Sequence, residues 1–203
     1  MSYFEYRTPK YFEIQYSIFL FKVFTMTFNS TILIHPGLGN SGPAHWQSLW
    51  EKQFNLVRIE QQDWDTPVCS DWIETLNSYV QQHDPKNVIL VGHSLACTTI
   101  AYWAQQYNVN IKGALLVAPS DTEAGTYPQG TTGFTPVPSL KLPFKSIVVA
   151  SSNDYYVTTE RARFFADSWG SELINIGDAG HINLAAGYGE WPKGLELLQQ
   201  LDN

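Results

Sequence analysis

The chain has 203 residues, of which 44% are apolar and 15% charged, and its formal charge is −7. This size and composition suit one folded domain with a sizeable core and exclude a disordered chain, while the acidic balance without any Lys/Arg cluster argues against partners that are nucleic acids or anionic membranes. The two cysteines, Cys69 and Cys97, form no C-x-x-C pair and are too few for a disulfide framework, so they read as reduced thiols of a cytoplasmic protein.

Residues 1–28 read as a poorly ordered extension ahead of a single domain over 29–203. The extension is rich in aromatics (Tyr3, Phe4, Tyr6, Tyr11, Phe12, Tyr16), and its apolar run over 18–24 is shorter than the roughly 20 residues a membrane span needs. Lys22 interrupts that run, Glu5 and Glu13 precede it, and no small-residue cleavage site follows, which argues against a signal peptide. Met26, just before the first strand, reads as the natural start.

From residue 30 the pattern alternates. The run 31–35 is apolar and β-branched. Residues 43–54 place Trp46, Leu49, Trp50 and Phe54 on one helical face, with Pro43 in the first turn. A second strand is predicted over 56–60, then a helix from an N-cap at Ser70 to about His83. Residues 87–91 are almost continuously apolar, as in a strand buried on both faces of a parallel sheet. A helix over 95–107 and a strand over 113–117 follow. The segment 119–144 carries five prolines and reads as a long loop or minimal lid, with Phe134 in a pocket wall. The last elements are a strand over 146–150, a helix over 158–169, a strand over 173–176 and a helix over 191–201. Trp46, Trp72, Trp103 and Trp169 read as core. This alternation predicts a mostly parallel six-stranded sheet, order 2-1-3-4-5-6, covered by helices on both sides. A ligand would bind at the carboxyl ends of its strands.

The strongest chemical signal is Gly92-His93-Ser94-Leu95-Ala96, between the buried strand and a helix. That is the setting of a nucleophile elbow, with Ala96 in place of the last glycine of G-x-S-x-G. A serine hydroxyl needs a base, and in α/β-hydrolases the order along the chain is Ser, Asp or Glu, then His. Of the five histidines only His181 lies after Ser94. Asp154, just past the strand over 146–150, is the preferred third member. Asp121 is its rival, and Asp178 is too near His181 in sequence to reach round. The oxyanion donors are assigned to the backbone N–H groups of Leu95 and Leu38, with Gly39 as the neighbouring choice. His93 either shapes the site or caps its strand. There is no zinc-spaced ligand set and no dinucleotide fingerprint, so neither metal nor cofactor is expected.

The chain from about residue 30 to 201 resembles the small serine hydrolases related to retinoblastoma-binding protein 9. The resemblance rests on H-P-G-L-G-N-S-G-P-A-H-W-Q, V-G-H-S-L-A, S-S-N-D-Y-Y-V and G-H-I-N-L-A-A-G-Y-G-E-W-P. It implies an α/β-hydrolase fold with little or no cap, a triad on Ser94, Asp154 and His181, and esterase- or peptidase-like chemistry. The animal relative's L-x-C-x-E motif is not kept: Leu95-Ala96-Cys97-Thr98-Thr99 has Thr where Glu is needed, so that partner is not implied. The expected function is hydrolysis of a small ester or amide through an acyl-enzyme. A non-catalytic binding module on the same fold, or a thioesterase or C–C hydrolase using the same triad, remains as an alternative.

Overall fold

The computed structural model describes residues 26–203. The poorly ordered extension predicted at the N-terminus lies, over 1–25, outside the described residues. Met26 and Phe28 pack against the sheet, and the Phe28 ring meets Phe54 edge-on at 5.4 Å. The folded body therefore takes in residues that the predicted boundary at 28 left out.

Six parallel strands run in the order β2-β1-β3-β4-β5-β6. They are β1 (Thr31–His35), β2 (Val57–Arg58), β3 (Val88–His93), β4 (Gly113–Val117), β5 (Lys145–Ala150) and β6 (Glu172–Asn175). Helices α1 (Trp46–Phe54), α2 (Cys69–Val80), α3 (Leu95–Tyr107), α4 (Thr159–Trp169) and α5 (Pro192–Asp202) cover the two faces. Strand β3 pairs with β1 and β4 on either side, and all six of its residues are buried. This is why its sequence is a continuous apolar run rather than an alternation. Leu90 of β3 belongs to a core cluster with Trp72, Trp103 and Phe165, whereas Ile89 and Val91 join a separate one with Trp46, Trp50 and Trp191. The predicted core tryptophans Trp46, Trp72, Trp103 and Trp169 are all fully buried.

Two helix starts differ from the sequence reading, one through an adjacent capping group and one through a partner far along the chain. Helix α1 starts at Trp46 rather than Pro43, with the His45 side chain accepting from Gln47 N. Helix α2 starts at Cys69 and has no side-chain cap, because Cys69 N–H donates to Thr132 O at 2.8 Å. Ser70 is therefore not needed as N-cap, and its Oγ turns to Asp71. The segment 119–144 contains no helix or named strand. Trp169 Nε1 of the core donates to Pro138 O (2.8 Å), and within the segment Thr122 Oγ1 donates to Phe134 O (2.7 Å). Among the described residues no helix is long and apolar enough to cross a membrane.

Candidate active site

Ser94 joins β3 to α3 at φ 57°, ψ −121°. A non-glycine residue in this region costs on the order of 1–3 kcal/mol and persists only when its neighbours over-determine it. They do so here: Ser94 N–H donates to Val117 O (2.9 Å) and Ser94 O accepts from Cys97 N–H (3.0 Å). The turn is tight. A Cβ on Gly92 would lie 2.7 Å from Ile100 Cδ1, and fully buried Ala96 fills the place of the missing glycine.

His181 Nε2 lies 2.8 Å from Ser94 Oγ, and its Nδ1 lies 3.0 and 2.9 Å from the two oxygens of Asp154. An ionised carboxylate only accepts, so Nδ1 carries the proton and Nε2 presents its lone pair to the serine hydroxyl. Asp154 is fully buried and His181 nearly so. Their two loops are stitched together. Ser151 Oγ accepts from Ala179 N–H (2.9 Å) and Asn153 Oδ1 from Gly180 N–H (2.7 Å), while within its own loop Asp154 Oδ1 accepts from Tyr156 N–H (2.9 Å). Asp121, the rival acid, is engaged elsewhere. It accepts from Arg161 through both oxygens, at 2.8 and 3.0 Å. Asp178 is exposed.

The loop after β1 lies directly against the elbow. A Cβ on Gly37 would come within 2.7 Å of His93 O and 2.9 Å of Ser94 Cβ. Gly39 N–H is already taken by Trp64 O at 2.8 Å. Leu38 N–H makes no hydrogen bond among the described residues, and Leu95 N–H sits at the first position of α3, where helix geometry offers no acceptor. The sequence reading missed what holds this loop. Gln47, fully buried, donates to His35 O (3.0 Å) and Val91 O (3.2 Å) and accepts from Ser41 Oγ (2.7 Å). Arg58 donates to Asn40 Oδ1 (2.7 Å), Ser48 Oγ (2.7 Å) and Glu51 Oε2 (2.7 Å). Gly37→Ala must push either this loop or Ser94 aside, so it is expected to lower kcat by about 100-fold or more, the effect of an ångström-scale misplacement. Steady-state kinetics beside a melting curve checks this.

Ser94 and His181 open on a cleft of about 240 Å³. Leu38, Tyr127, Pro128, Tyr156 and Leu184 supply most of its apolar wall. The Tyr156 ring lies 4.6 Å from that of His181. Phe134 is not in the wall. It is buried in the core, 5.8 Å from the ring of Trp72, and Tyr127 and Pro128 of the same segment take the predicted place.

Three further histidines lie near the carboxyl ends of β1 and β3. Burial pushes His35 down to about 4. Burial, with help from Arg58 and His181, does the same to His45, also to about 4. Burial beside His181 and His45 holds His93 well below the usual histidine range. Each is therefore neutral in the fold at a pH where the unfolded chain would protonate it. The unfolded state then binds more protons, so stability is full above about pH 6.5 and is lost as pH falls towards 4. The slope is bounded by about 1.4 kcal/mol per pH unit for each histidine. Urea unfolding at pH 7 and pH 5 measures it.

A protein-family model described as serine hydrolase matches residues 32–200. No curated protein matches the chain. Among solved structures, the chain is similar to a putative YdeN-like hydrolase from Pectobacterium atrosepticum, with 31% identity and a TM-score of 0.75 over 93% of this chain and 97% of that one. It is also similar to the ydeN gene product of B. subtilis, with 22% identity and a TM-score of 0.75 over 85% and 98% of the two chains. An esterase from Thermogutta terrifontis with butyrate bound gives 18% identity and a TM-score of 0.58 over 86% and 82%. The last two bear on the fold alone.

Proposed function

The chain belongs to the serine hydrolase family, and from that premise we propose that it cleaves a small neutral ester or amide through an acyl-enzyme on Ser94. The observation that carries the proposal is the 2.8 Å approach of Ser94 Oγ to an imidazole nitrogen left free by the Asp154 contact. Ser94 Oγ attacks the substrate carbonyl carbon while its proton passes to His181 Nε2. Asp154 keeps Nδ1 protonated and stabilises the imidazolium. The oxyanion takes hydrogen bonds from Leu38 and Leu95 N–H. Collapse expels the alcohol or amine, which takes the proton from Nε2. A water then repeats the sequence and returns Ser94 with a free acid. Among the described residues, and apart from its histidines, the cleft is lined by no ionisable side chain that carries charge at neutral pH, which suits an uncharged substrate group.

Steady-state hydrolysis of p-nitrophenyl acetate, butyrate and octanoate, with mass spectrometry of acid-quenched protein, tests this. Turnover with the acyl group on the Ser94 peptide is the expected result. Turnover of none of the three esters overturns the proposal.

A further inference from the structure

His181 is held through its own backbone and that of Ile182 as well as by Asp154. His93 Nε2 lies 2.9 Å from His181 O, and Trp46 Nε1 lies 2.8 Å from Ile182 O. A carbonyl only accepts, so His93 carries its proton on Nε2 and donates. Consecutive carbonyls of one loop thus receive side-chain N–H donors from two different elements, the end of β3 and the start of α1. Between them the chain passes through Ile182 at φ 47°, fully buried. Left-handed backbone is a genuine outlier for a β-branched residue, and such strain lasts only where the surroundings enforce it. The donors are themselves braced. The His93 ring packs against His45 at 5.0 Å, Trp46 at 5.9 Å and His181 at 4.9 Å, and Trp46 packs on Trp50 at 4.6 Å.

We propose that His93 and Trp46 are positioning residues. Their N–H groups clamp the carbonyls of His181 and Ile182 and so fix the imidazole plane between Ser94 Oγ and Asp154. The proposal rests on the function assigned above to His181. Trp46 does not line the cleft, and the His93 ring borders it, so the unchanged KM expected below separates positioning from substrate contact. The clamp replaces what a rigid secondary-structure element would supply, since His181 stands on a loop between β6 and α5. It also gives His93, inside the nucleophile motif, a task distinct from that of its neighbour. Ser94 is held by the elbow itself, whereas His93 reaches across the sheet to the base.

The test compares His93→Leu with His93→Gln, whose amide can still donate near the Nε2 position. His93→Leu is expected to lower kcat by about 100-fold, the cost of ångström-scale misplacement, with KM within about threefold. His93→Gln is expected to recover at least about tenfold of that loss. A low-field proton resonance of His181 Nδ1–H is expected in the wild type, and it should broaden or vanish in His93→Leu and return in His93→Gln. Trp46→Phe keeps an aromatic ring and removes only the second donor, so it tests the other half of the clamp independently. Its expected signature is the same fall in kcat at constant KM. The clamp is overturned if His93→Leu and Trp46→Phe both keep kcat within threefold and the resonance intact. It is also overturned if His93→Gln loses as much as His93→Leu, which would make the ring's packing the cause. The resonance reads the clamp without any turnover, so an inactive wild type would defeat the proposed function and leave this comparison able to decide the inference.

Discussion

On the proposed mechanism, Ser94→Ala is expected to lower kcat by about 10⁴-fold or more while the melting temperature is held, because it removes the nucleophile of residues that act as a unit. The backbone at φ 57° is enforced by the Val117 and Cys97 hydrogen bonds, and alanine keeps the same Cβ. The elbow therefore survives the change. What disappears is the hydroxyl 2.8 Å from His181 Nε2. The measurement is a paired one: steady-state hydrolysis and a thermal melt on the same preparation. A variant that kept a tenth of the wild-type kcat would remove Ser94 from the chemistry.

The second large effect separates two carboxylates. Asp154→Asn should lower kcat by about 10³–10⁴-fold with little change in stability. The Asn oxygen can still accept from Tyr156 N–H, as Asp154 Oδ1 does at 2.9 Å. Its amide N–H₂ cannot accept from His181 Nδ1–H. The imidazole then moves its proton to Nε2 and no longer offers a lone pair to Ser94. Asp121→Asn should do the reverse. It breaks a two-pronged contact to Arg161, at 2.8 and 3.0 Å, in which the Asp121 side chain is only 9% exposed. Arg161 keeps its contact to Glu123, so the loss should be about 1–3 kcal/mol of stability, the scale for a charged hydrogen-bond partner, with kcat within tenfold. Urea unfolding and kinetics on both variants check the pair. If Asp121→Asn loses more activity than Asp154→Asn, the acid is misassigned.

Much of the sheet was legible because its signals are local. Strands β3 and β4 are continuous apolar runs, and Gly92 before Ser94 and Gly37 after β1 stand where a Cβ would collide. The sheet order follows from the strand–helix alternation, and His181 is the only histidine after Ser94. What the sequence hid are partners distant along the chain. Arg161, which engages Asp121, stands 40 residues past it. The cap of α2 comes from Thr132, and the carbonyls after His181 are held from Trp46 and His93. Phe134 and Tyr127 are both large apolar residues in one irregular segment. Both are buried in one core cluster, and only packing decides that Tyr127 also reaches the cleft wall while Phe134 does not. Gln47 ends the H-P-G-L-G-N-S-G-P-A-H-W-Q segment with no task of its own legible there, yet its amide joins β1, β3 and the Ser41 loop.

The central claim is that Ser94 is a nucleophile activated by His181. A fluorophosphonate probe tests it most directly, because the probe forms a bond only with a base-activated hydroxyl. The wild-type protein should take up one equivalent, found by mass spectrometry on the peptide carrying Ser94, and His181→Ala should react slower by about 10³-fold or more. A folded wild type that takes up no label on Ser94, or a His181→Ala variant that labels at the wild-type rate, would contradict it.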